Sequence, residues 1–228
     1  MALYWRKKRA RVAGAVALAC LALAVTAVLE STNDAVASPV VSGDDWELDF
    51  QPGPLRLYVD PNDGQTYWYF TYTVANRTDR DRMWAPRLEV FTDGGKILRS
   101  GRNVPSRVSR QMRKLLGDPL LEDQNRIIGE LLVGRENARS GLAVWPANNL
   151  EVTEITLFVA GLSSDYKIVD HPITKEQVRL QRTLRREYLV PGDPLERGST
   201  PLRLEPRKNR RGPECEDEYP KGGCWIYR

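Results

Sequence analysis

Histidine occurs once in this chain of 228 residues, and cysteine and methionine three times each. With His171 alone, paired-histidine metal motifs have no second member. The sequence has no glycine-rich phosphate loop, and no nucleophile-elbow pattern surrounds Ser163, Ser164 and nearby Asp165. An excess of either charge is also small. The formal net charge is +4, and residues 1–37 hold Arg6, Lys7, Lys8, Arg9 and Arg11 against Glu30 and Asp34. The rest of the chain is therefore almost balanced, which is no electrostatic footprint for nucleic acid. No cofactor and no metal are implied.

What the N-terminus does have is a basic cluster followed by the uncharged run "VAGAVALACLALAVTAVL", Val12 to Leu29. As a helix this run would be about 27 Å long, near the thickness of a bilayer core. The preceding cations orient such a segment with the remainder of the chain exported. Residues 1–30 therefore read as a signal or anchor segment. It is either an uncleaved inner-membrane anchor facing the periplasm, or a signal peptide cleaved after Ala37 in the small-x-small pattern Ala35–Val36–Ala37. Cys20 lies inside the run. Cys215 and Cys224 remain, a pair expected to form a disulfide in an oxidising compartment.

Residues 31–45 are short and polar and read as a linker. From Trp46 the pattern turns to strands. "WELDF" and "LRLYVD" alternate, "DPNDG" marks a tight turn, and "TYWYFTYTVAN" is rich in aromatic and β-branched residues. Period-two alternation puts Trp68, Phe70, Tyr72 and Val74 on a core face. Tyr67, Tyr69, Thr71 and Thr73 fall opposite, where the two tyrosines either pack beside neighbouring strands with hydroxyls in water or offer a platform for sugar rings. "APRLEVFT", "DGGK" and "KILRSG" continue the meander as strand, hairpin turn and return strand. Asn76–Arg77–Thr78 fits a glycosylation sequon.

At Ser106 the period changes. Val108, Met112, Leu115 and Leu116 recur at helical spacing, and so do Leu120, Leu121, Ile127, Ile128, Leu131 and Leu132, after Asp118–Pro119 and before Gly134. A two-helix insertion over about 106–134 is expected, either capping the strands or presenting a docking surface. "SGLAVWPA", "VTEITLFVAGL" and "VRLQRTLRREYLV" read as further strands, the last with Arg179, Gln181, Thr183, Arg185 and Glu187 on a solvated side. Residues 191–228, rich in proline and charge, read as an extended tail carrying the disulfide loop. The expected fold is mainly β: an antiparallel immunoglobulin-like sandwich over residues 46–190 with the two-helix insertion, preceded by an N-terminal hydrophobic helix.

Taken together, "YWYFTYTVANRTDRDRMWAPRLEVFTDGGK", "DPLLEDQNRIIGELL", "ENARSGLAVWPA" and "LFVAGLSSDYKIV" resemble a group of exported bacterial envelope proteins with no established activity. The resemblance spans roughly Trp46 to Val190 and implies an envelope-facing bacterial protein; it carries over no functional residue. The leading expectation is a non-catalytic binding or assembly module of the cell envelope. Its partner would be an envelope protein, met by insertion residues such as Arg113 and Lys114, or cell-wall glycan stacked on Tyr67 and Tyr69. Membrane contact would run through residues 12–29 if uncleaved. A hydrolase using His171 or a carboxylate pair is the weaker alternative, since carboxylate pairs act by spatial separation.

Overall fold

The turn signal at Asn62–Asp63–Gly64 closes a hairpin between β1 (Asp49–Val59) and β2 (Thr66–Asn76) in the computed structural model, which describes residues 45–205 and 215–228. Gly64 takes a φ of +70°, and its amide donates to the Asp60 carbonyl at 2.8 Å. The pair is antiparallel, with Leu57 opposite Trp68 and Tyr58 opposite Tyr67, and β1 carries a register shift between Pro52 and Leu55.

The chain continues through β3 (Arg82–Trp84), β4 (Arg87–Thr92) and β5 (Ile97–Arg99) to helix α1 (Ser106–Leu116). Then come β6 (Leu121–Asp123), β7 (Gly129–Leu131), β8 (Gly134–Pro146) and β9 (Glu154–Ala160). β10 (Tyr166–Asp170) and β11 (Gln177–Leu189) precede the single turn α2 (Pro194–Arg197). β12 (Arg203–Leu204), β13 (Asp217–Glu218) and β14 (Cys224–Tyr227) complete the order.

The fold is mainly β. A smaller sheet runs β1-β2-β8-β6, antiparallel except for the parallel β6–β8 pair. A larger antiparallel sheet runs β13-β14-β11-β9-β4-β5, with β10 and β12 also paired to β11, and β3 with β7 forms a separate ribbon. Both sheets feed one core. Phe50, Leu57, Trp68, Phe70, Tyr72 and Trp145 come from the smaller sheet, and Leu88, Val90, Leu157, Leu184 and Trp225 from the larger. The even-numbered face of β2 is thus core, as its alternation predicts.

Three expectations are corrected. The second helix of the insertion is absent: its sequence forms β6, a turn and β7. Of the six apolar residues assigned to one helix face, Leu121, Ile127 and Leu131 are buried, and Leu120, Ile128 and Leu132 are exposed. Every buried one is odd-numbered and every exposed one even, so the segment follows the period of a strand. The Asp123 carboxylate accepts from the amides of Asn125 and Arg126, a local turn that competes with helix.

The side of β11 expected in water is buried at Thr183, Arg185 and Glu187, the last two ion-paired at 2.7 Å. Nor is the C-terminal segment, where described, an extended tail apart from the core. β14 pairs with β11, while Leu202, Tyr219, Trp225 and Ile226 are buried. The Cys215–Cys224 disulfide forms as expected, with Cα atoms 5.6 Å apart. Among the described residues no helix is long and apolar enough to cross a membrane. The apolar run 12–29 and the cleavage pattern at 35–37 lie outside the described residues, as does the linker except Asp45.

Candidate functional site

Helix α1 determines what the tyrosine face of β2 can do. Val108 and Met112, one turn apart on the helix, pack with Leu121 onto Tyr67, Tyr69, Leu142 and Val144 as a second core cluster. A clamp holds the helix at its N-terminal turn, where Arg107 pairs with both Asp60 and Asp63 of the β1–β2 turn. Asp60 is wholly buried. Its carboxyl is held below the usual carboxylate range, first by the backbone amide of Asn62 and then, against the opposing effect of burial, by the Asn62 side chain and Arg107.

Tyr67 and Tyr69 are consequently only 1% and 4% exposed. Burial pushes both phenols up, and the Tyr67 hydroxyl donates to Gln65 Oε1 at 3.1 Å rather than standing in water. Sugar stacking requires an open ring face, and α1 covers these two. Further along the same face, Thr71 and Thr73 border a depression of about 420 Å³ shared with Gln51, Leu116, Asp118 and Ser140.

The outer side of α1 is free of such duties. The helix carries Arg107, Arg110, Arg113 and Lys114 and no acidic residue. Arg107 is engaged in the clamp, and Arg113 lies 3.9 Å from the Asp123 carboxylate. Arg110 and Lys114, four residues apart, are exposed, and Leu115 beside them is 70% exposed. The two insertion candidates therefore part: Lys114 faces solvent, and Arg113 leans back toward Asp123 at the end of β6.

A second concentration of cations lies where the β5 edge meets the end of β8. A cleft of about 580 Å³ is lined by Glu89, Ile97, Leu98, Arg99, Arg102, Asn103, Pro146 and Arg228. Glu89 is buried within β4, and each of its oxygens takes one guanidinium: Oε1 from Arg99 Nε at 3.1 Å, Oε2 from Arg228 Nη2 at 2.7 Å. The sequence reading missed this group. Arg99 and Arg102 flank Gly101 in a visible turn, but Arg228 reaches Glu89 across 139 positions of chain, a separation that no local pattern reveals.

The remaining candidates make local contacts. His171 Nδ1 accepts from the Thr174 amide at 3.1 Å and the Ile173 amide at 3.4 Å, so it caps its own turn. Ser163 Oγ accepts from the Asp165 amide, and Asp165 accepts from the Tyr227 hydroxyl at 2.5 Å. The sequon residue Asn76 is wholly buried, donating through Nδ2 to the Arg80 and Leu131 carbonyls. Glu122 of one adjacent carboxylate pair is bound by Arg139 at 2.5 Å. No cluster of three or more metal-ligating side chains occurs among the described residues. Comparison with protein-family models, with curated proteins and with solved structures finds no match for the chain.

Proposed function

We propose that the chain is a non-catalytic binding or assembly module of the bacterial cell envelope, an immunoglobulin-like sandwich exported to face the periplasm. It would be anchored through residues 12–29, or released after Ala37. One observation carries the reading: α1 uses its inner face to cover the smaller sheet, while Arg110, Lys114 and Leu115 stay outward. An exposed leucine rimmed by cations on a helix without a carboxylate fits an acidic protein surface with an apolar centre. The oxidised Cys215–Cys224 pair is consistent with an exported location.

Glycan stacking on Tyr67 and Tyr69 is not carried forward, because α1 lies over both rings. The test is in-cell cross-linking followed by affinity capture from envelopes, comparing the native chain with Lys114→Glu/Leu115→Ser. The expected result is a protein partner whose recovery falls with added salt and is lost in the double variant, while the variant's melting temperature stays within a few degrees of the native one. An identical set of captured proteins from both chains would refute the docking face.

A further inference from the structure

We propose that the cleft between the β5 edge and the end of β8 binds a small dianion, a ligand carrying two negative charges on carboxylate or phosphate oxygens. Three guanidinium groups line this cleft against the single carboxylate side chain of Glu89. Glu89 has each oxygen occupied, by Arg99 and by Arg228. Arg102 is exposed at the rim and makes no ion pair among the described residues. The lining side chains thus carry two uncompensated positive charges, which makes the cleft electropositive and favours an anionic ligand.

The geometry also holds Arg228 in place. The Arg228 guanidinium lies over the Phe158 ring, 4.1 Å from its centroid, and its main chain pairs with Gln181 in both directions, at 2.9 and 3.2 Å. With Nη2 fixed on Glu89, its Nη1 is buried and meets no hydrogen-bond acceptor among the described residues. The forks open to a ligand are those of Arg99, whose side chain is 63% exposed, and of exposed Arg102, and a guanidinium fork matches an oxyanion well. The turn is fixed as well: the Gly101 amide donates to the Val144 carbonyl at 2.8 Å, and Asn103 takes a φ of +59°. Leu98, Pro146 and the exposed Ile97 form an apolar wall suited to a short carbon skeleton. None of this depends on the outer face of α1, so the two readings fail separately.

The experiment is calorimetric titration of the full chain at low ionic strength, where rim charges are least screened. The probes are inorganic phosphate and succinate, with acetate as a singly charged control. Saturable binding of phosphate, of succinate or of both is expected, with acetate weaker by about tenfold or more. Arg102→Gln removes a rim charge outside the Glu89 network and is expected to weaken binding by about tenfold. Glu89→Gln removes the competing carboxylate and should tighten binding, a gain that damage to the fold would not produce. Should Glu89→Gln fail to fold, Arg102→Gln decides alone. The proposal is overturned if neither dianion binds below about 10 mM, if Arg102→Gln binds as the native chain does, or if acetate equals succinate.

Discussion

Tyr219 shows how one side chain ties the C-terminal segment to the core. Its hydroxyl donates to the Phe50 carbonyl on β1, and its ring meets Trp225 edge-on, centroids 5.6 Å apart. Burial, reinforced by the carboxylates of Asp49 and Glu47, pushes the phenol up to about 12. A tyrosine titrating higher in the folded chain than in the unfolded one contributes stability that is complete below about pH 10 and is lost as pH rises through 12. Tyr58, Tyr67, Tyr69, Tyr72, Tyr188 and Tyr227 are raised too, so the alkaline limb is shared among seven phenols. Tyr219→Phe should lower stability by about 1 kcal/mol at neutral pH through the lost hydrogen bond. It should also make the decline between about pH 10 and 12 shallower. Denaturant titrations at pH 7, 10 and 11.5 check both parts; an unchanged alkaline slope would mean that Tyr219 titrates normally.

At the scale of elements, β8 is the strand that joins β2 to β6 in the smaller sheet. Gly141 lies opposite Tyr72 in the β2–β8 register, and a Cβ there would come within 2.2 Å of the Tyr72 ring and 2.6 Å of Ile127 Cδ1. Both neighbours are buried, so neither can swing aside. Gly141→Ala should cost about 1–3 kcal/mol, read as a lowered urea midpoint with unchanged slope. An unshifted midpoint would show that this part of the core yields more easily than its packing implies. Elements whose periodicity was local were legible in the sequence: the hairpin at Asn62–Gly64, the core face Trp68–Val74, helix α1 over its first turns, and the strands around Leu88 and Leu157. The segment after Pro119 was not, because doubled apolar residues such as Leu120–Leu121 and Ile127–Ile128 satisfy a helical wheel and a strand alternation equally. Tertiary pairing with β8 and β3 chose between them. The same blindness hid Tyr67 and Tyr69, since only the docking of α1, remote from β2 in sequence, makes an amphipathic face into a core face.

For the whole molecule, the decisive contacts are those between the two ends of the described chain. β14 pairs with β11 while Tyr219 reaches back to β1, Lys221 joins Asp49 at 2.6 Å, and Arg228 joins Glu89 of β4. Proline and charge in residues 191–228 suggested an extended tail, yet the apolar residues among those charges, Leu202, Tyr219, Trp225 and Ile226, fill positions in the core. Burying each large ring contributes on the order of 2–3 kcal/mol. Removing Tyr219 and Trp225 together with the pairing of β14 to β11 would therefore consume much of the roughly 5–15 kcal/mol typical of a domain. A chain ending at Glu205 should lose cooperative melting and bind a hydrophobic dye, whereas Cys215→Ser/Cys224→Ser should melt cooperatively with a loss of somewhat under about 3 kcal/mol. The comparison separates burial from cross-linking. If the truncated chain melted like the native one, the core would be complete without β14. If the cysteine variant alone abolished folding, the loop closure rather than the buried rings would hold the segment in place.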